Sequence, residues 1–170
     1  MCPNWCLGNV KVKGEPSNIR KFCKLFLFDE NNENKKKYFA RSFIHSSWND
    51  FYETFLGEKE AEFDVDFAWS CYSCMIEGYP QKFKECVTLE WACKEFDVEV
   101  EIETEEGGLG FEEEISYTKE NGLKSESKDM PTYRCSCGNE QQIPSIMSVE
   151  DVSCYECEEY GKFTLMPSEN

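Results

Sequence analysis

Three stretches of the chain place an apolar residue at every second position, with charged residues between. Val10 and Val12 alternate with Lys11 and Lys13 ahead of Gly14. Phe63, Val65 and Phe67 alternate with Asp64 and Asp66, and Val98, Val100 and Ile102 with Glu99, Glu101 and Glu103. A period of two sends alternate side chains to opposite faces of a strand, so each stretch predicts a half-buried strand with a charged outer face. Other stretches repeat at helical spacing. Ile19, Phe22, Cys23 and Phe26 follow the helix-start signal Pro16-Ser17-Asn18 and are interleaved with Arg20, Lys21 and Lys24. Trp48, Phe51, Tyr52 and Phe55 predict a short amphipathic helix over 48–56. Leu89, Ala92, Cys93 and Phe96 predict another over 87–96.

The segments between are read from their punctuation. Residues 29–37 (DENNENKKK) form a polar loop, and Tyr38 to Ile44 reads as a strand. Gly107-Gly108-Leu109-Gly110 is a turn after the glutamate-rich strand, with Phe111, Ile115 and Tyr117 on the strand that returns. Asn121-Gly122 marks a tight turn into a further short strand. Helices interleaved with strands, followed by a meander, predict an α+β fold with helices on one face of an antiparallel sheet. Asp129-Met130-Pro131 divides a domain at 1–129 from a cysteine-rich module at 130–170.

Charge changes the picture from fold to partner. The net charge is −16, and it is unevenly spread. Residues 1–60 carry net +2, residues 61–129 net −13 and residues 130–170 net −5. Such a field repels phosphates and anionic membranes and attracts basic surfaces. It therefore speaks against direct nucleic-acid binding and for a basic protein partner. Glu99, Glu101, Glu103, Glu105, Glu106, Glu112, Glu113 and Glu114 are the candidate partner-binding residues, forming an acidic sheet face. No apolar run approaches the roughly 18 residues of a membrane span. The start, MCPNWCLGN, lacks the basic and apolar regions of a signal peptide. The expectation is a soluble cytoplasmic protein.

Eleven cysteines in such a protein point to metal where they cluster and to buried small side chains where they scatter. Cys135 and Cys137 form one close pair and Cys154 and Cys157 another, separated by 16 residues. Two such pairs resemble a zinc ribbon, in which two turns each supply two thiolates to a tetrahedral structural Zn2+. The first pair is Cys-x-Cys rather than Cys-x-x-Cys, so its turn must be tighter, and Gly138 suits that turn. A disulfide pair and an iron site of the same geometry are the alternatives. A second site could draw on Cys71 and Cys74 with Cys2 and Cys6, although a lone Cys-x-x-Cys is a weak signal that also fits a redox pair or plain packing. Catalytic chemistry is not indicated. There is one histidine, His45, and the glycine run is neither a P-loop nor a dinucleotide motif.

Pro3-Asn4-Trp5-Cys6, followed by Asn9, Val10, Val12 and Gly14, resembles the opening of the YubB-like ferredoxin-like family of phage and plasmid proteins. Ala68-Trp69-Ser70 resembles that family's tryptophan motif. Glu105-Glu106-Gly107, Gly110-Phe111 and Asn121-Gly122 resemble its closing hairpins. The match spans roughly residues 3–125. Cys71 and Tyr72 depart from it by standing where a proline-containing run commonly follows, and the cysteine-rich tail is an addition. The resemblance implies a ferredoxin-like core, a mobile-element origin with residence in the host cytoplasm, and Trp5 and Trp69 as core residues. It brings no catalytic residues. The expected function is an acidic protein-binding module, inhibiting a host defence or nucleic-acid-binding protein by mimicking nucleic-acid charge. The alternative is a nucleic-acid-associated adaptor acting through the zinc ribbon.

Overall fold

The computed structural model describes residues 4–28, 36–145 and 147–167. Its main element is a mixed seven-stranded sheet backed by helices, an α+β arrangement. The strands are β1 (Trp5–Lys13), β2 (Leu27–Phe28), β3 (Ser42–Ile44), β4 (Glu60–Ala68), β5 (Glu99–Glu106), β6 (Phe111–Thr118) and β7 (Gly122–Asp129). Their order is β2-β3-β4-β1-β5-β6-β7. The β2–β3 pair is parallel, and every other neighbouring pair is antiparallel.

The alternation in the sequence decides which face is buried. Val10 and Val12, Ala61 to Phe67 at every second position, Val100 and Ile102, and Ile115 and Tyr117 all turn to one side. There they meet Ile19, Phe22 and Cys23 of α1 (Pro16–Cys23) and Leu89, Ala92 and Cys93 of α5 (Leu89–Phe96). Pro16 opens α1 at a position where no backbone N–H is needed. Thr88 caps α5, its hydroxyl accepting from Trp91 N at 3.2 Å. Phe22, Phe26, Phe39 and Phe63 pack edge to face at 4.9–5.8 Å and fill the centre. Between β3 and β4, α2 (Trp48–Thr54) is capped by Ser47 and adds Phe51 to the same core. The basic face expected on α1 is outward, and Arg20 lies 3.9 Å over the Tyr52 ring.

Some expectations shift. The strand expected over 38–44 is paired only from Ser42, and Tyr38 instead makes a single bridge to Cys86. The polar loop at 29–37 falls largely outside the described residues, and Lys37 packs over the Trp91 ring at 3.9 Å. Two short helices not read from the sequence, α3 (Cys71–Met75) and α4 (Tyr79–Lys82), lead from β4 toward α5. Trp5 and Trp69, implied to be core residues, are 44% and 37% exposed. Trp5 lies on the open side of β1, and Trp69 sits at the end of β4 with φ +79.

Beyond β7 the chain forms a separate small antiparallel sheet, β10-β8-β9, from β8 (Thr132–Cys135), β9 (Glu140–Gln142) and β10 (Phe163–Leu165). It rests against the β5–β6 turn. Met130 N donates to Gly110 O, and Ser145 N donates to the Glu112 carboxylate. Gly110 has φ +73, and a Cβ there would lie within 2.6 Å of the Gln142 side-chain amide. The positive φ favours glycine at that turn, and a side chain there would have to displace the Gln142 amide. Among the described residues no helix is long and apolar enough to cross a membrane.

Candidate metal centre and acidic sheet face

The four tail cysteines converge. Cys135 closes β8, and Cys137 follows in a turn where Gly138 takes φ +98. Gly138 N donates back to Cys135 O at 2.9 Å, which gives the tight turn that a Cys-x-Cys pair requires. The second turn is closed by Glu158 N to Cys154 O at 2.9 Å and Cys154 N to Glu159 O at 3.0 Å. The four Sγ atoms lie within 4.8 Å of one another, with Cys135–Cys157 and Cys137–Cys154 each at 3.6 Å. A disulfide needs about 2.05 Å between sulfurs. A tetrahedron of metal–sulfur bonds of about 2.3 Å has edges of about 3.8 Å, close to the observed spacing. The described cysteines are free thiols, and this donor set fits a tetrahedral metal ion.

The surroundings favour thiolates unequally. Backbone N–H groups, Cys157 N first, lower the Cys154 pKa to about 6. Asn139 Nδ2 adds a donor to the same sulfur at 3.5 Å, an outer-shell contact typical of metal sites. Cys157 accepts from the Glu159 N–H, yet desolvation and its thiol neighbours push it up to about 12. A divalent ion would supply the charge that lets all four ionise. A metal ion held by all four sulfurs would have no open position for substrate.

The remaining cysteines do not assemble in this way. Among the described residues the tail cluster is the group able to hold a metal, and Cys2 lies outside them. Cys6, Cys71 and Cys74 are fully buried. Burial pushes the Cys6 and Cys74 thiols up to about 12 and Cys71 well above the ordinary value. Cys71 Sγ packs against Met75 Sδ at 3.6 Å. They behave as small core side chains rather than nucleophiles. His45 is exposed and paired with Asp66.

The face of the large sheet away from the helices carries the second candidate. Cross-strand register lines Asp64, Asn9, Glu103, Glu114 and Glu126 in one row across β4-β1-β5-β6-β7. Glu103, Glu114 and Glu126 thus stand directly opposite one another on three neighbouring strands. Like charges so placed destabilise a sheet. Lys128 relieves part of this, at 2.6 Å from Glu114 and 3.7 Å from Glu112. Lys11 and Lys13 pair with Glu62 and Glu60 on β4. Glu101 and Glu103 are exposed on this face, and Glu99 and Glu105 partly so. A cavity of about 420 Å3 opens over β5-β6-β7 between Glu101, Glu103, Glu114 and Glu126.

Three of the eight candidate glutamates are not presented, which corrects the expectation of one uniform face. Glu106 is 2% exposed, and its carboxylate accepts from Gly108 N and Leu109 N, capping the glycine turn. Glu113 points to the helix side, 4% exposed. It accepts from Cys71 N at 2.8 Å, Tyr72 N at 3.3 Å and Thr104 Oγ1 at 3.2 Å, satisfying the start of α3. Burial raises its pKa. Glu112 is on the open side, but the Ser145 backbone covers it. Counting back by twos from the apolar Ile115 and Tyr117 would have placed Glu113 inside. No sequence signal foretold the cover over Glu112.

No protein-family model, curated protein or solved structure matches the chain.

Proposed function

We propose that this protein is a protein-binding module that docks a basic partner on its open acidic sheet face, with the tail held by a structural Zn2+. The row Glu103–Glu114–Glu126, three carboxylates facing each other on adjacent strands, carries the proposal. Self-repulsion along such a row is a cost that a cationic surface relieves. Zinc is the preferred ion for a closed four-thiolate set in a reducing cell. The strand connections support a ferredoxin-like core. The run β1-α1-β3 encloses β4 between two parallel strands, and β4-α5-β5 encloses β1 in the same way. Together with the Asn4-Trp5-Cys6 start, this favours the resemblance to YubB-like proteins and, with it, a mobile-element origin. In that setting the partner is a host defence or nucleic-acid-binding protein, whose basic groove the acidic face occupies in place of phosphates.

The test is affinity purification from the native host at low salt, comparing the wild type with Glu101→Gln/Glu103→Gln/Glu114→Gln. A partner retained by the wild type, released by salt and lost with the variant supports the proposal. Retention that ignores both salt and the variant overturns it. The exposed Tyr155 and Tyr160 on the second cysteine turn favour a nucleic-acid adaptor as the competing function. Arg134 and Lys162 are already paired with Glu140 and Glu159, however, which leaves the tail few cations for phosphates. Sequence-selective binding of DNA or RNA by the intact protein would establish that alternative.

A further inference from the structure

The acidic face has an apolar end. Trp5 and Leu7 project from the open side of β1 and are 44% and 51% exposed. The Trp5 ring meets that of Phe43 on β3 edge to face at 5.7 Å. Phe43 and Leu7 both stand opposite Asp66, and Leu7 stands opposite Glu105. Continuing through Glu112 and Lys128, one row reads Phe43, Asp66, Leu7, Glu105, Glu112, Lys128 across the sheet. An apolar cluster and a carboxylate pair therefore lie on adjacent strands, about 4.8 Å apart in backbone spacing.

The carboxylate end of that row is incompletely satisfied. Glu105 Oε2 is shielded from solvent and has no hydrogen-bond partner. Burial, and then the Glu112 charge, raise the Glu105 pKa above the ordinary carboxylate value. A cavity of about 210 Å3 adjoins it, bounded by Glu103, Glu105, Glu112, Glu114, Lys128 and Ser145.

We infer that the partner presents an arginine beside a bulky apolar residue, the guanidinium entering the cavity at Glu105 and the apolar side chain covering Leu7, Trp5 and Phe43. This rests on the basic-partner function proposed above and adds the chemistry of the contact. Lys128 already pairs with Glu112 and Glu114, and no described cation pairs with Glu103 or Glu105, so charge complementarity selects a cation at that side of the cavity. Arginine suits it better than lysine, because a guanidinium is weakly hydrated and its fork can meet two carboxylates at once. The apolar cluster is hemmed by Asp66 and Glu105, which would repel the phosphates of a nucleic-acid strand stacked on it. Its rings stand edge to face rather than forming a flat platform.

The experiment titrates the intact, metal-loaded protein at low salt with short extended peptides in which Arg alternates with Trp or with Ser, and with an Arg→citrulline control. The Arg–Trp peptide is expected to bind about tenfold tighter than the Arg–Ser peptide, the effect of covering one large apolar side chain. Leu7→Ser, an exposed substitution, should erase that advantage and leave Arg–Ser binding unchanged. If both Arg peptides bind equally and Leu7→Ser alters neither, the apolar anchor is refuted while the acidic face still takes basic partners. If neither Arg peptide binds, the basic-partner function fails with it. Citrulline peptides that bind as well as their arginine counterparts refute the cation contact. Tight binding of single-stranded oligonucleotides weakened by Leu7→Ser would overturn the inference in favour of nucleic acid.

Discussion

The two sheets are stabilised by different means. The seven-stranded sheet is closed by apolar burial, with Phe22, Phe26, Phe39 and Phe67 all fully inside. The tail sheet has three short strands, and among the described residues beyond β7 only Met130, Cys135, Gln141, Ile143 and Cys154 are buried. Two of those five are candidate metal ligands. A segment of this size cannot bury enough surface to offset its conformational entropy, and a metal held by the four cysteines would replace the core it lacks. Apolar burial tolerates graded damage, whereas a tetrathiolate site fails when a single sulfur is lost.

The largest expected effect therefore lies in the tail. Cys154→Ser, or chelation, should abolish stoichiometric metal binding and release on the order of 10 kcal/mol of coupled folding energy. Tail amide resonances would collapse while those of the large sheet stay dispersed, and collapse of both together would show that the two sheets are not stabilised separately. Next is Phe67→Ala, expected to cost about 3–5 kcal/mol in urea unfolding and to leave metal content unchanged. Gly110→Ala, at the junction, combines a positive-φ penalty with pressure on Gln142, and should cost about 1–2 kcal/mol. Its mark would be shifted tail resonances with metal still bound.

The smallest effect is in the pH dependence of the large sheet, opposite in sign to that expected of a metal-loaded tail. Burial raises the Glu105 pKa, so its folded form favours the proton. Its contribution to stability is full below the unfolded carboxylate value and is lost as pH rises through the raised folded value. Glu105→Gln should flatten that part of the melting-temperature profile of the large sheet. A metal-loaded tail is expected to behave oppositely, because protons compete with the metal for its thiolates.

Much of the large sheet was legible because alternation runs through Val10–Lys13 of β1 and through β4 and β5, and because α1 and α5 follow helical spacing. The metal cluster was legible because ligand spacing is local. What escaped depends on distant segments. The period of two from Ile115 and Tyr117 points Glu113 inward, but what lets a carboxylate sit there is distant: α3, some 40 residues earlier in the chain, supplies its N–H donors. Cys71 and Cys74 looked like a motif, but their spacing is one helical turn with both sulfurs on the buried side. Trp5 and Trp69 carry no alternation signal at strand ends, and their exposure became visible only once the open face was formed.

The Ser145–Glu112 hydrogen bond would extend the reach of a bound metal beyond its own sheet. Ser145 makes the tail one wall of the cavity at Glu105, so the two candidate sites share a boundary. If that boundary couples them, the coupling is reciprocal: whatever factor the metal contributes to partner affinity, the partner returns to metal affinity. A chelator competition run with and without the Arg–Trp peptide would read that factor from the metal side. Equal metal affinity in both would make the wall passive, and a difference would make the zinc content of the cell an input to partner choice.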